Sequence, residues 1–496
     1  MFHPIFVKTA RIKSMNASHA SSVSPDIPPR TPAPRRKFLH GRRPWGLADQ
    51  VLISGTNFVT MIFAGRALGK AGFGEFTLVY NGLLLANMVQ MALITQPHNV
   101  LGTGKKDSNY RSYTAGAALA QLAIAMLEAI GALAFVGIAY AHGWHCRGLL
   151  LALVPSIVAW QFQEFFRRVL YTEGRIAAAF FNDLVSYGGQ ASWIVALWWL
   201  DLAKPASAAP RLTPTVAMYV LAITSALAAL LGAWQVRKSL VGRFHFRGWL
   251  DNWQFGRWLL GSEILTYCSS LPMYMYLVGA FISEEASGDL KAAQTLFGPA
   301  RVISFYLATV LPIRFAGAIG RGGIGALDRQ VKSTALRVLP ILGIFCLLVA
   351  LFAKPAMLIF GRDFKGNASV LAIYAIVAFL SYVQMVFAAA LTARRLTHYI
   401  FMGSIAGAVV TLVLGVALTR AMGIDGALMG MILTGAAVTV VYGLAYRRGA
   451  RAHATIASAS KEQPLDESGI RTVGNEQGLE ARGIIVTRAS GPCPVH

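Results

Sequence analysis

Apolar runs of about 20 residues recur along nearly the whole chain, and that length is what a helix needs to cross roughly 30 Å of hydrocarbon at about 1.5 Å per residue. Runs drawn at 47–65, 73–95, 112–140, 148–165, 176–200, 215–235, 257–282, 291–318, 334–353, 367–390, 399–419 and 427–446 predict about twelve membrane-spanning helices. Hydrocarbon offers no partner to a bare backbone amide, and a helix bonds its own, so the predicted fold class is an all-α integral membrane protein. A mean hydropathy of +0.53 and a charged fraction of 14% in 496 residues set the chain apart from ordinary soluble domains.

The net charge of +23 raises the question of nucleic acid, and its distribution argues against that partner. Residues 1–44 carry nine Lys/Arg against Asp26 alone, and they are rich in Ser and Pro without an apolar core. They are read as a disordered basic cytoplasmic tail and not as a cleavable signal. Most of the remaining surplus sits in loops between spans. The loops 102–111, 164–175, 236–257, 319–337 and 391–398 are richer in Lys/Arg than those alternating with them, which places them, and both chain ends, in the cytoplasm of a bacterial inner-membrane protein. Residues 447–496 are expected to be a second disordered tail. The four cysteines show no metal-ligand spacing, so neither a disulfide nor a zinc site is inferred from them.

A weak internal repeat divides the membrane region. A displacement of 214 residues lays Gly65 on Gly279, Gly74 on Gly288, Glu75 on Asp289 and Asp49 on Glu263. Two lobes of six helices each, 45–240 and 241–446, follow as parallel repeats about an axis along the membrane normal.

Polar side chains are costly in hydrocarbon, so stripes of them mark either helix contacts or a wet cavity. Gln50, Ser54 and Asn57 share a face of the first span beside Asp49; Asn87 and Gln90 share one in the second; Glu263, Thr266, Ser270 and Tyr274 form a line in the seventh. Gln294, Gly298 and Arg301 share a face of the eighth, next to the helix-bending Pro299. Arg301 cannot shed its proton and is the leading candidate for binding an anionic substrate, with Asn57, Asn87, Gln90 and Gln294 lining the same cavity. Asp49, Glu263 and the acid Glu128 of the third span are the ion-coupling candidates. Glu164, Arg167 and Arg168 end the fourth span at i, i+3 and i+4, either as a topological anchor or as a recruiting site for a phosphate head group. Asp183 and Tyr187 in the fifth span are helix glue or cavity wall. No nucleotide-binding loop, metalloprotease helix or nucleophile elbow is present, so neither an enzyme nor a cofactor is predicted.

The runs Asp49–Phe58, Ala64–Gly69 and Gly72–Phe76, with Gln163–Leu170 and Gly423–Ala427, resemble polysaccharide-biosynthesis transporters, the O-antigen-flippase-like branch of the multidrug/oligosaccharidyl-lipid/polysaccharide (MOP) exporter superfamily. The resemblance covers about 45–446. It implies a V-shaped cavity between two lobes, alternating access, and a polyprenyl-pyrophosphate-linked saccharide as cargo, with Arg301 at the position that fits a cavity arginine. It also implies membrane lipids and polysaccharide polymerase or export proteins as partners. Two other readings stay open: cation-coupled efflux of drugs or other small molecules, in which cavity acids should dominate, and a non-transporting membrane component of a polysaccharide assembly complex. A membrane glycosyltransferase would need catalytic acids in a sizeable loop, and the chain has none.

Overall fold

Helices account for nearly all of what the computed structural model describes, residues 43–105, 107–205, 207–242 and 246–462; the side chains of 43–44, 107, 246–249, 301–302, 305–306 and 449–462 are outside that description. The α-helices are α1 (Arg43–Gln90), α2 (Gln96–Leu101), α3 (Asp107–Ala141), α4 (Arg147–Thr172), α5 (Ile176–Asp183), α6 (Gly189–Leu202), α7 (Pro214–Val236) and α8 (Phe246–Cys268). They continue as α9 (Leu271–Phe281), α10 (Glu284–Leu296), α11 (Gly298–Leu351), α12 (Ala353–Met357), α13 (Ala368–Ala393), α14 (Thr397–Val410) and α15 (Val416–Glu462). Single wide π turns, Met91–Thr95, Leu184–Gly188 and Thr411–Gly415, join α1 to α2, α5 to α6 and α14 to α15.

Among the described residues seven helices are long and apolar enough to cross a membrane, or eight when Leu250–Cys268 and Leu271–Phe281, bent by 48°, count as one span. That figure takes each long helix once. The backbone leaves helical geometry inside α1 at Gly69, inside α11 at Gly322 and Gly323, and inside α15 at Gly423. Gly69, Gly323 and Gly423 have φ near +65°, a conformation a side chain disfavours, and each falls between two of the runs drawn from the sequence. The predicted seventh span is likewise broken at Ser269–Ser270, ahead of Pro272, and the eighth at Phe297, ahead of Gly298 and Pro299.

Within the first half, α3 and α7 pack on α4, so closely that a Cβ on Gly232 would stand 2.7 Å from that of Phe166. In the second half α11, α14 and α15 gather around α13 and one another. The predicted lobe boundary at 240/241 is crossed in space by α8: Gly256 lies against the backbone of Ala92 and Leu93, and Tyr113 donates to Asn252 at 2.6 Å. The tail expected from 447 onward also differs, since α15 continues through Ala- and Arg-rich sequence to Glu462, two residues short of Pro464. Residues 463–496 and the basic tail up to 42 lie outside the described residues.

Candidate functional site

The polar centre of the first half is built on one face of α4. Trp160, Glu164, Arg167 and Tyr171 follow one another at three- and four-residue spacing, with Gln163 three residues from Trp160 and four from Arg167, so they share one broad face. Against this face come Asp49 from α1, Asp183 from the end of α5 and Tyr187 from the π turn that follows, a device common at functional sites. Arg167 is 8% exposed and meets three carboxylates: Asp183 Oδ2 at 2.6 Å from Nε, Glu164 Oε1 at 3.1 Å from Nη1, and Asp49 Oδ2 at 3.4 Å from Nη2. Tyr171 donates to Asp49, Tyr187 donates to Glu164 at 2.8 Å, and Gln163 donates to Asp183 at 3.0 Å.

Three acids thus surround one fully engaged guanidinium, with Arg168 at 3.8 Å from Glu164 as the outer countercharge. Asp49 Oδ1, Gln163 Oε1 and Asn182 Oδ1 are buried oxygens with no donor among the described residues. A site of acceptor oxygens with surplus negative charge is chemically suited to a proton or a small cation.

This arrangement revises several sequence readings. Arg167 and Glu164 cannot recruit a head group from the bilayer surface, because both are buried and already paired; of that trio only Arg168, with about a third of its side chain exposed, is left at the surface. Asp49, one of the ion-coupling candidates, is 1% exposed inside the cluster. Its proposed repeat partner Glu263 is half-buried on α8 and takes no part in this cluster. Gln90 lines no cavity: it is fully buried and donates to the Gln161 carbonyl at 2.6 Å. Gln161 in turn donates to Glu128 and accepts from Gln121 at 2.8 Å, so Gln90 and Glu128 belong to one ladder between helices.

Asn57 and Asn87 are half-buried on α1. Gln294 is half-buried on α10 and accepts from Lys291 at 3.0 Å. Arg301 lies in the first turn of α11, next to Gly298, whose position a Cβ would bring to 3.3 Å from Phe58 of α1. The Arg301 side chain itself is outside the described residues.

The two halves meet where the repeat is clearest. Gly74 and Gly288, equivalent under the 214-residue displacement, touch: a Cβ on Gly74 would stand 1.8 Å from the Glu284 carbonyl oxygen, and one on Gly288 would stand 2.5 Å from that of Lys70. Around them Lys70 Nζ pairs with Asp289 at 3.2 Å, Arg66 donates to the Ile359 carbonyl at 2.6 Å, and Phe73 packs tilted against Phe360 and edge-on against Phe364.

Sequence reasoning missed Lys291. It is 8% exposed on α10 and 5.6 Å from the ring of Tyr80 on α1. Its i, i+3 spacing with Gln294 was the available signal. His145 was also missed, since a histidine in a short loop carries no periodicity.

No family model and no curated protein matches the chain, but solved structures do. A multidrug-resistance MATE-family transporter of the MOP superfamily, in an inward-facing conformation, is similar over 85% of this chain and 96% of its own, at 14% identity and a TM-score of 0.62. A MOP-superfamily transporter from Pyrococcus furiosus matches over 83% of this chain and 94% of its own, at 15% identity and a TM-score of 0.57. The lipid II flippase MurJ, inward closed, matches over 80% and 87%, at 12% identity and a TM-score of 0.56. The chain is a multi-pass membrane protein with the fold of MOP-superfamily transporters.

Proposed function

We propose that this chain is a flippase that carries a polyprenyl-pyrophosphate-linked saccharide across a bacterial inner membrane by alternating access. The observation that carries the reading is the Gly74–Gly288 junction. Two repeat-related halves touch there through backbone and small residues, a contact that can act as a pivot or part. The basic loops that gather at the opposite end supply the orientation, with Ser239 bonded to Glu173 and Arg394 to Asp328, so that end is assigned to the cytoplasm. A lipid II flippase among the structures with this fold supports a lipid-linked cargo.

In this reading Arg301 grips the pyrophosphate, Lys291 adds a second cation, and Asn57, Asn87 and Gln294 face the sugar while the lipid tail stays in the bilayer. Asp49, Glu164 and Asp183 around Arg167 take and release the driving proton or cation, with Glu263 and Glu128 as secondary acids. Polysaccharide polymerase and export proteins are the expected partners.

The test is binding of the lipid-linked precursor to purified protein. A planar guanidinium forks onto paired phosphate oxygens and an ammonium does not, so Arg301→Lys should weaken binding and Arg301→Ala weaken it further, by about ten- to a hundredfold. Unchanged affinity in Arg301→Ala would remove Arg301 from the site.

A further inference from the structure

We propose that Glu75, His145 and Glu284 form a divalent transition-metal site that staples the two halves together at their junction. Under the 214-residue displacement Lys70 corresponds to Glu284 and Glu75 to Asp289. On one side of the Gly74–Gly288 contact the pair is realised as Lys70 with Asp289, an ammonium on a carboxylate at 3.2 Å. On the other side the same two positions hold Glu284 and Glu75, so the lysine is replaced by a second acid. Two carboxylates now face each other across a boundary that its twin closes with a positive charge, and like charges so placed repel.

His145, from the loop between α3 and α4, enters between them. Its Nε2 is 3.0 Å from Glu284 Oε1 and 4.0 Å from Glu75 Oε1, and one ligand atom from each of the three lies within 4.8 Å of the others. A zinc ion bound at about 2.0–2.2 Å by one imidazole nitrogen and two carboxylate oxygens holds its ligands roughly 3.5 Å apart, leaving a position for water. The observed spacing, 3.0 Å to at most 4.8 Å, reaches that with rotations of the His145 side chain, which is 72% exposed, and of the two glutamate carboxylates. Imidazole selects zinc, copper or nickel over magnesium and calcium, which favour all-oxygen sites. Two ligands come from the first half and one from the second, so an occupied site resists separation of the halves at this junction.

The experiment uses the full chain, purified by a tag without histidine and stripped of metal. Zinc and cobalt binding are followed by calorimetry and by the visible absorption of Co²⁺, with Mg²⁺ as control. One equivalent of zinc should bind, with affinity lowered at least tenfold in His145→Gln and in Glu284→Gln, and Mg²⁺ should not compete. Zinc should also raise the melting temperature of the parent and not of His145→Gln, since an ion that binds the folded form stabilises it by mass action. The exposed His145 is chosen because its replacement leaves the packed Gly74–Gly288 contact intact. Zinc binding that is equal in parent and variants overturns the proposal. So does the absence of zinc binding with a junction that closes on lowering pH, which would make His145 a protonated bridge instead. The readouts need no cargo, so they stand or fall apart from the transport reading.

Discussion

The halves share a helical plan and differ in what they bury. The α4 helix of the first half carries Glu164, Arg167 and Arg168, and its surroundings add Asp49, Asp183, a ladder of glutamines and the buried His98. The α13 helix, central to the second half, has no charged residue along Ala368–Ala393. In the same half a buried cluster is hydroxyl to hydroxyl: Tyr274 lies 2.9 Å from Thr434, which lies 3.0 Å from Thr411, with the tyrosine ring seated against Gly415 and Gly430. The first half therefore gathers three acids and an arginine around α4 in a medium that penalises charge, while the second keeps its buried Asp289 and Lys291 on α10 and leaves α13 and the Tyr274 contacts neutral. Under the proposed function, this segregation of chemistry within one repeated backbone assigns ion handling to the first half and leaves the second to move against it.

The largest expected effect follows from removing the one cation that three acids share. Arg167→Met keeps most of the side-chain volume and leaves Asp49, Glu164 and Asp183 facing each other, so stability should fall by about 3–5 kcal/mol. Folded, monodisperse protein in detergent is the measure. The matching change in the second half, Arg394→Met, breaks a pair with Asp328 whose carboxylate side chain is 46% exposed, and water screens what is left. Equal losses from the two variants would break the contrast between the halves.

An intermediate effect is expected at Tyr187. Its hydroxyl donates to the Glu164 carboxylate at 2.8 Å and accepts from Trp160 at 3.3 Å, so Tyr187→Phe costs a bond to a charged group, about 1.5–3 kcal/mol. The loss should appear in an SDS-unfolding titration in mixed micelles. It should shrink when Glu164→Gln is made first, because the partner charge is then absent.

The sequence made the spans legible because lipid imposes one length and one composition on every crossing, and the breaks at Gly69, Gly323 and Gly423 sit where apolar runs end. It also named Asp49, Glu164, Arg167, Asp183 and Tyr187. What it could not supply was their union, since Asp49 and Arg167 are 118 residues apart and local periodicity says nothing about which faces meet. The Asp49–Glu263 correspondence shows the limit of a repeat: equivalent positions inherit a backbone path, and burial then differs with the neighbours each half provides. Gln90 shows the limit of a polar stripe, because a glutamine that bridges helices and one that lines a cavity have the same spacing.

The smallest effect sharpens the contrast most. Tyr274 is 1% exposed and its ring fills the space that Gly415 and Gly430 leave open, where a Cβ on either glycine would fall 2.7 and 3.1 Å from the hydroxyl oxygen. Tyr274→Phe keeps that ring and removes only a hydroxyl that shares hydrogen bonds with neutral threonines, which can still bond each other. A neutral buried hydrogen bond is worth about 1 kcal/mol net, and here part of it is recovered by the Thr411–Thr434 contact. Unfolding in the same mixed micelles should therefore shift less for Tyr274→Phe than for Tyr187→Phe, with no dependence on Glu164. A loss at Tyr274 as large as that at Tyr187 would mean that the second half also depends on a costly polar network, and the division of labour between the halves would have to be abandoned.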